Sequence, residues 1–242
     1  MKVQCRFSSF ILFRTAFFAV VITVLYACGR TDNVGTERDP FADASYKVTF
    51  TTSWTAADFP TKFPAGAHFS KLVGGTHNDQ VKFWEDGQIA TAGIESMAET
   101  GSKSGLASEV SAAKTDGKAE FILGGAGNSA AGTTTLEFDI NEMYSLVTLV
   151  SMVAPSPDWF VGVRDLSLFD NATGAWKQTV VVDLAVYDAG TDSGAGFAAA
   201  DADTRPAEPA SLLSTNPVDT DFVNGVGQGG RFIATMTFER IK

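Results

Sequence analysis

An all-β fold, an antiparallel β-sandwich of about eight strands with one or two short helices and long loops, is predicted by three features of this sequence. Segments with apolar residues at alternate positions occur near both ends of the chain. Between them lie runs rich in Val, Ile, Leu, Thr and aromatics, each bounded by Gly, Asn, Asp or Pro. Helical spacing shows in one stretch only, "GQIATAGIESMAETGSKSGLASEVSAAKTDG".

The first 27 residues are set aside before the fold is read. Lys2, Arg6 and Arg14 precede an apolar run from Ala16 to Ala27, the pattern of a secretory signal peptide. Its apolar part is shorter than the roughly 20 residues that cross a bilayer as a helix. The run ends in "LYAC", which resembles the lipobox of bacterial lipoproteins and makes Cys28 the expected site of lipidation; ordinary secretion with cleavage near Ala27, or retention as an anchor, are the alternatives. Gly29 after that cysteine resembles outer-membrane sorting. Cys5 falls in the signal, so Cys28 has no partner for an intramolecular disulfide. Loss of Lys2, Arg6 and Arg14 moves the formal charge from -10 to -13. That acidity argues against nucleic acid or anionic membrane as a partner and is compatible with divalent cations.

Residues 28–45 are polar and aperiodic and read as a flexible tether, with one domain at 46–242. In "YKVTFTTSW" Tyr46, Val48, Phe50 and Trp54 share one face of a strand. Leu136, Phe138 and Ile140 repeat the pattern, as do Phe232, Ala234, Met236 and Phe238. "KAEFILGG", "YSLVTLVSMVA", "FVGVRDLSLF" and "GAWKQTVVVDLAVY" bring the strand candidates to seven. Apolar parity changes between Val163 and Leu166, which predicts a bulge near Arg164 and Asp165. Ile89, Ala92, Gly93 and Ser96 approximate a 3.6 period, and Gly101 is placed to end that helix. Residues 194–230, with Pro206, Pro209, Pro217 and "NGVGQGG", read as a long surface loop.

Chemistry concentrates in two loops. Asp188 and Asp192 lie four apart across "AGT", where Gly190 permits a tight turn. Asp158 follows Pro157 in "PSPDWF", a stiff approach that positions a carboxylate at small entropic cost. Three carboxylates drawn together repel unless a cation joins them. By spacing alone these aspartates are either a site for a hard cation or ordinary turn residues bonding their own backbone. Trp159, beside Asp158, is either an exposed recognition side chain or one packed under the loop. His68 and His77 lack the further ligands a zinc site needs. Nothing resembles a nucleophile elbow, and the glycine runs do not link a strand to a helix as a phosphate loop does.

"GAHFSKLVGGTHND", "GIESMAETG", "SMVAPSPDWFVGV" and "YDAGTDSGAGF" resemble, in order and spacing, the signature blocks of the spondin N-terminal domain, over about Tyr46 to Phe197. The resemblance implies a C2-like β-sandwich of the kind found in matrix and adhesion proteins, with calcium (Ca2+) held by loop carboxylates. It assigns Asp158, Asp188 and Asp192 as the ligands, with Glu99 of "MAETG" as a neighbour. It also implies no catalytic residues and no enzyme, but an extracytoplasmic module that binds a cell-surface or matrix protein or glycan and touches the membrane only through its lipid. The cysteines of the animal members are missing here, so their partners do not carry over. A metal-dependent hydrolase, which would need His68 or His77 beside Asp158, and a spacer with purely structural calcium are the competing readings.

Overall fold

The computed structural model describes residues 43–242. Cys28, the signal and most of the tether lie outside the described residues. The described chain holds the strands β1 (Ala44–Ser53), β2 (His68–Phe69), β3 (Val73–His77), β4 (Ala119–Gly124), β5 (Asn128–Ser129), β6 (Ala131–Ile140) and β7 (Leu146–Ala154). It continues with β8 (Trp159–Ser167), β9 (Phe169–Asp170), β10 (Ala175–Trp176), β11 (Thr179–Leu184), β12 (Val186–Asp188), β13 (Ser211–Leu212) and β14 (Ala234–Arg240). Helices α1 (Ala92–Thr100) and α2 (Ser104–Thr115) fill the stretch with helical spacing. Eight strands have five residues or more, as the sequence predicts, and every strand pairing is antiparallel. No helix among the described residues is long and apolar enough to cross a membrane, which says nothing of a β-barrel.

A four-stranded sheet has the order β11-β14-β1-β6 and an eight-stranded one β13-β12-β8-β7-β2-β5, with β3 joining β7 to β4; β9 and β10 form a separate two-stranded pair. The two larger sheets face each other. Their inner faces meet in one core. Tyr46, Val48, Phe50, Met236 and Phe238 come from the first sheet, and Val147, Leu149, Val153, Val161 and Val163 from the second. On β7 the alternate residues Val150, Met152 and Ala154 point the other way, into a second cluster with Ile94, Met97, Leu106 and Val110 of the two helices. Both faces of β7 are therefore covered, which is why "LVTLVSMVA" shows no polar alternation. Burying each large aliphatic side chain of the helix layer contributes roughly 1.5–3 kcal/mol.

Helix α1 starts at Thr91, whose hydroxyl oxygen accepts the Ile94 N–H at 3.2 Å. Glu109 of α2 completes the cap, accepting the Gly93 N–H at 2.7 Å and the Thr91 hydroxyl at 2.8 Å. Gly101 ends the helix in the left-handed region, at φ 68°. Glu109→Ala is expected to cost about 1–2 kcal/mol, because it leaves an α1 N–H donor unpartnered at a helix end. Urea unfolding of the two proteins measures this, and an unchanged midpoint would remove Glu109 from the cap.

Several boundaries differ from the sequence reading. Strand β1 begins at Ala44, two residues early, with Ala44 and Ser45 buried. Ile89 precedes α1, is 54% exposed and bridges Pro209, so the buried helix face is Gly93, Ile94, Met97 and Ala98. Phe232 lies before β14 and is exposed; Ile233 is buried in its place, while Ala234, Met236 and Phe238 keep the expected inward alternation. The expected bulge is present in β8, where three steps from Leu166 to Val163 face two steps on β7 and Asp165 has φ 47°. The segment 194–230 is the expected long covering loop, and it buries Phe197, Leu213 and Phe222 in the sandwich core.

Candidate metal centre

Strands β8 and β12 are neighbours, with Trp159 opposite Asp188, so the two acidic loops emerge side by side at one end of a sheet. Ser156 forms the turn that delivers Asp158: its hydroxyl oxygen accepts the Trp159 N–H at 3.1 Å. Asp158 is fully buried. Its Oδ2 accepts the N–H of Thr191 at 2.7 Å, the N–H of Asp192 at 3.1 Å and the Thr191 hydroxyl at 3.2 Å. Its Oδ1 is buried without a hydrogen-bond partner.

Asp188 Oδ1 accepts the Gly190 N–H at 2.8 Å, the turn that the "DAG" spacing predicts. Asp192 is buried and holds two amides, Gly194 N–H on Oδ1 at 2.7 Å and Ala202 N–H on Oδ2 at 3.0 Å. The long covering loop returns to clamp this turn, with Thr204 N–H on the Thr191 carbonyl and Glu208 N–H on the Gly190 carbonyl, both at 2.8 Å. Asp188 and Asp192 also line a cleft of about 420 Å³ together with Glu208 and Asp219.

Burial pushes the Asp158 carboxyl up to about 6, reinforced by the Asp188 carboxylate and opposed by the amides of Thr191 and Asp192. Burial likewise raises Asp188. The Gly190 amide and the neighbouring Trp159 indole oppose the rise, while Glu208 and Asp192 add to it; the indole N–H falls short of a full hydrogen bond. Burial raises Glu99 in the last turn of α1, with the Thr191 hydroxyl opposing and Glu95, Asp158 and Asp203 adding. The site is thus a set of carboxylates of which Asp158 is fully buried and Asp188 and Glu99 half-buried, with no basic side chain among the described residues offsetting the burial of Asp158, Asp188 or Glu99.

The structure brings Asp158, Asp188 and Asp192 into one neighbourhood without closing them into a cage. Among the described residues, no three His, Cys, Asp or Glu side chains are arranged to hold an ion. The groups present nevertheless suit a hard cation. All are oxygen donors, and the deeply buried Asp158 keeps one carboxylate oxygen unpartnered.

Trp159 is 1% exposed and packs edge-on against Phe197 at 5.2 Å, so of its two readings the packed one holds and the exposed recognition side chain does not: its apolar ring belongs to the core beneath the loop. Neither histidine touches Asp158. His77 is buried on β3, its Nδ1 on the Asn78 carbonyl and Nε2 on the Thr148 hydroxyl, both at 2.8 Å; it pairs with Leu146, at the opposite end of β7 from the acidic loops. His68 is exposed and bonds its own chain at Gly66. Sequence reasoning missed Ser156, Thr191 and Glu208. The first two are short polar residues whose role depends on the fold, and Glu208 lies in a segment without periodicity.

Residues 44–223 match the family model described as Spondin_N. Spondin-2 of Rattus norvegicus is 34% identical over 178 residues, covering 72% of this chain and 53% of that protein. Spondin-2 of Homo sapiens is 32% identical over 209 residues, covering 83% and 62%. Spondin-1 of Mus musculus is 31% identical over 206 residues, covering 82% of this chain and 25% of that protein. The chain therefore spans between a quarter and about three fifths of the length of these relatives.

Proposed function

This chain belongs to the Spondin_N family, and from that premise we propose that it is a non-enzymatic, calcium-binding extracytoplasmic module that binds a cell-surface or matrix protein or glycan. One observation carries the calcium reading: a fully buried aspartate, Asp158, whose Oδ1 has no partner and whose neighbours are carboxylates. Asp158, Asp188 and Asp192 would hold the ion. Calcium supplies the positive charge this loop cluster lacks and leaves coordination positions that a partner's oxygen atoms can take. The residues themselves set the frame: the amides of Thr191 and Asp192 fix Asp158, and the Gly190 turn fixes Asp188 at the mouth of the cleft. Lipid at Cys28 and the tether between it and β1 would hold the module at the envelope.

Thermal unfolding of the purified protein in calcium, magnesium or chelator tests the reading. A ligand at a hundred times its dissociation constant stabilises by about 2.7 kcal/mol, a shift of several degrees for a domain of this size. Calcium should raise the midpoint well beyond magnesium, and Asp158→Asn and Asp192→Asn should each lose the response. An identical midpoint in calcium and after exhaustive metal removal would reduce these aspartates to turn residues.

A further inference from the structure

Strand β11 ends the four-stranded sheet, with β14 on one side and no strand paired on the other. The Arg240 N–H donates to the Gln178 carbonyl at 2.9 Å. Alternate residues from Gln178 onward therefore turn their backbone groups toward β14, and Thr179, Val181 and Asp183 turn theirs away. The N–H and C=O groups of those three residues make no backbone hydrogen bond to another described residue. Such an edge is usually blunted by proline, lysine, a bulge or a covering element, because a bare ladder pairs with any strand that matches it. "TVVVDL" has no proline and no lysine, and its register with β14 runs unbroken.

The side chains match the exposed ladder. Val181, on the outer face, is 61% exposed. Val180 and Val182 point into the sandwich and are only half-buried, where the sheet stops beside them. Thr237, Thr49 and Thr135 lie level with Val181 across the sheet, so the row through the middle of β11 carries no charge to repel a second one.

The pattern is also complementary to itself. In an antiparallel pairing centred on Val181, Thr179 faces Asp183 of the second copy, a hydroxyl donor against a carboxylate. Lys177 is exposed, with its Nζ 3.0 Å from the Ser167 carbonyl, and comes within diagonal reach of that same carboxylate. The single acidic residue of the strand thus meets a donor and a cation on the other copy, and two-fold symmetry repeats both contacts.

We propose that two copies of this chain pair antiparallel through β11, with Val181 on the two-fold axis, so that their four-stranded sheets join into one continuous sheet. Thr179, Val181 and Asp183 of each copy then exchange about six N–H···O bonds with the other, and Val180 of each copy meets Val182 of the other on the inner face. The ladder is short, which places the contact among weak interfaces of less than about 1,200 Å². It uses none of the carboxylates of the acidic loops and is independent of the calcium reading.

Sedimentation of the purified protein over a concentration series up to about 1 mM tests the pairing, in chelator to remove calcium and in reductant to exclude a disulfide through Cys28. The wild type should move from one chain mass toward two as concentration rises. Val181→Pro removes an N–H on the open side of the strand and leaves the ladder to β14 whole. It should associate at least tenfold more weakly while its thermal midpoint stays within a few degrees of the wild type. Val181→Lys sets a charge against its own copy on the axis and should do the same. Val181→Thr keeps the branched shape and the ladder and should associate as the wild type does. A wild type that sediments as a monomer throughout, or a dimer that survives either the proline or the lysine in folded protein, would overturn the proposal.

Discussion

Gly190→Ala is expected to destabilise the domain by about 3 kcal/mol or more and to abolish the calcium response, through a methyl group that touches no carboxylate. Gly190 has φ +75°, where an L residue costs roughly 1–2 kcal/mol. A Cβ there would lie 2.1 Å from the Glu208 carbonyl oxygen, so the covering loop has to move. That movement breaks the 2.8 Å bond from the Glu208 N–H to the Gly190 carbonyl, worth about another 1 kcal/mol, and disturbs the Gly190 amide that holds Asp188. Gly174→Ala is the control: φ is +65° and nothing lies within 4 Å of the added methyl, so only the same conformational cost of roughly 1–2 kcal/mol remains. Denaturant unfolding of both variants reads the difference. Equal losses would mean that the clamp of the covering loop on the acidic turn contributes nothing.

The contrast between these glycines also shows what the sequence could reveal. "DAGTD" predicts a turn at Gly190, and the turn is there, but the Glu208 backbone against which it closes lies eighteen positions on, in a segment without a pattern. Alternation in "YKVTFTTSW" gave β1 its inward face because one side of that strand meets the core and the other side meets water. Strand β7 gave a weaker signal. The helices that cover its outer face come from a distant part of the chain, and periodicity describes a strand without describing what lies over it. The parity change at Arg164 and Asp165 was legible because a bulge leaves a local trace.

The acidic site was half legible for the same reason. Asp158, Asp188 and Asp192 stand out as short acidic residues at strand ends, and strand pairing brings them together. Trp159 carried two readings because a bulky ring after a loop aspartate can point either way; Phe197, supplied by the covering loop, provides the surface that draws it inward.

Acid should stabilise the metal-free protein at Asp158 and destabilise the calcium-loaded one, and the opposite slopes identify the group. In the fold Asp158 titrates at about 6, against an ordinary 3.8. Between those values the folded state holds a proton that the unfolded state has released, so lowering the pH from about 7.5 to 5 favours the fold. At about 1.4 kcal/mol per pH unit the full interval is worth roughly 3 kcal/mol, all of it regained once the pH is below 4. His77 acts the other way. Burial lowers its pKa, so the unfolded chain gains the proton first as pH falls below about 6.5. Asp158→Asn keeps His77 and removes the carboxylate, and the stability difference between wild type and this variant isolates Asp158. In metal-stripped protein that difference should swing by a few kcal/mol toward the wild type as pH falls through 6. With calcium the gap between loaded and stripped wild type should instead close over the same interval, because the ion requires the ionised carboxylate that the proton removes. A difference independent of pH in stripped protein would mean that water reaches Asp158, and the unpartnered Oδ1 would then give no reason to expect an ion.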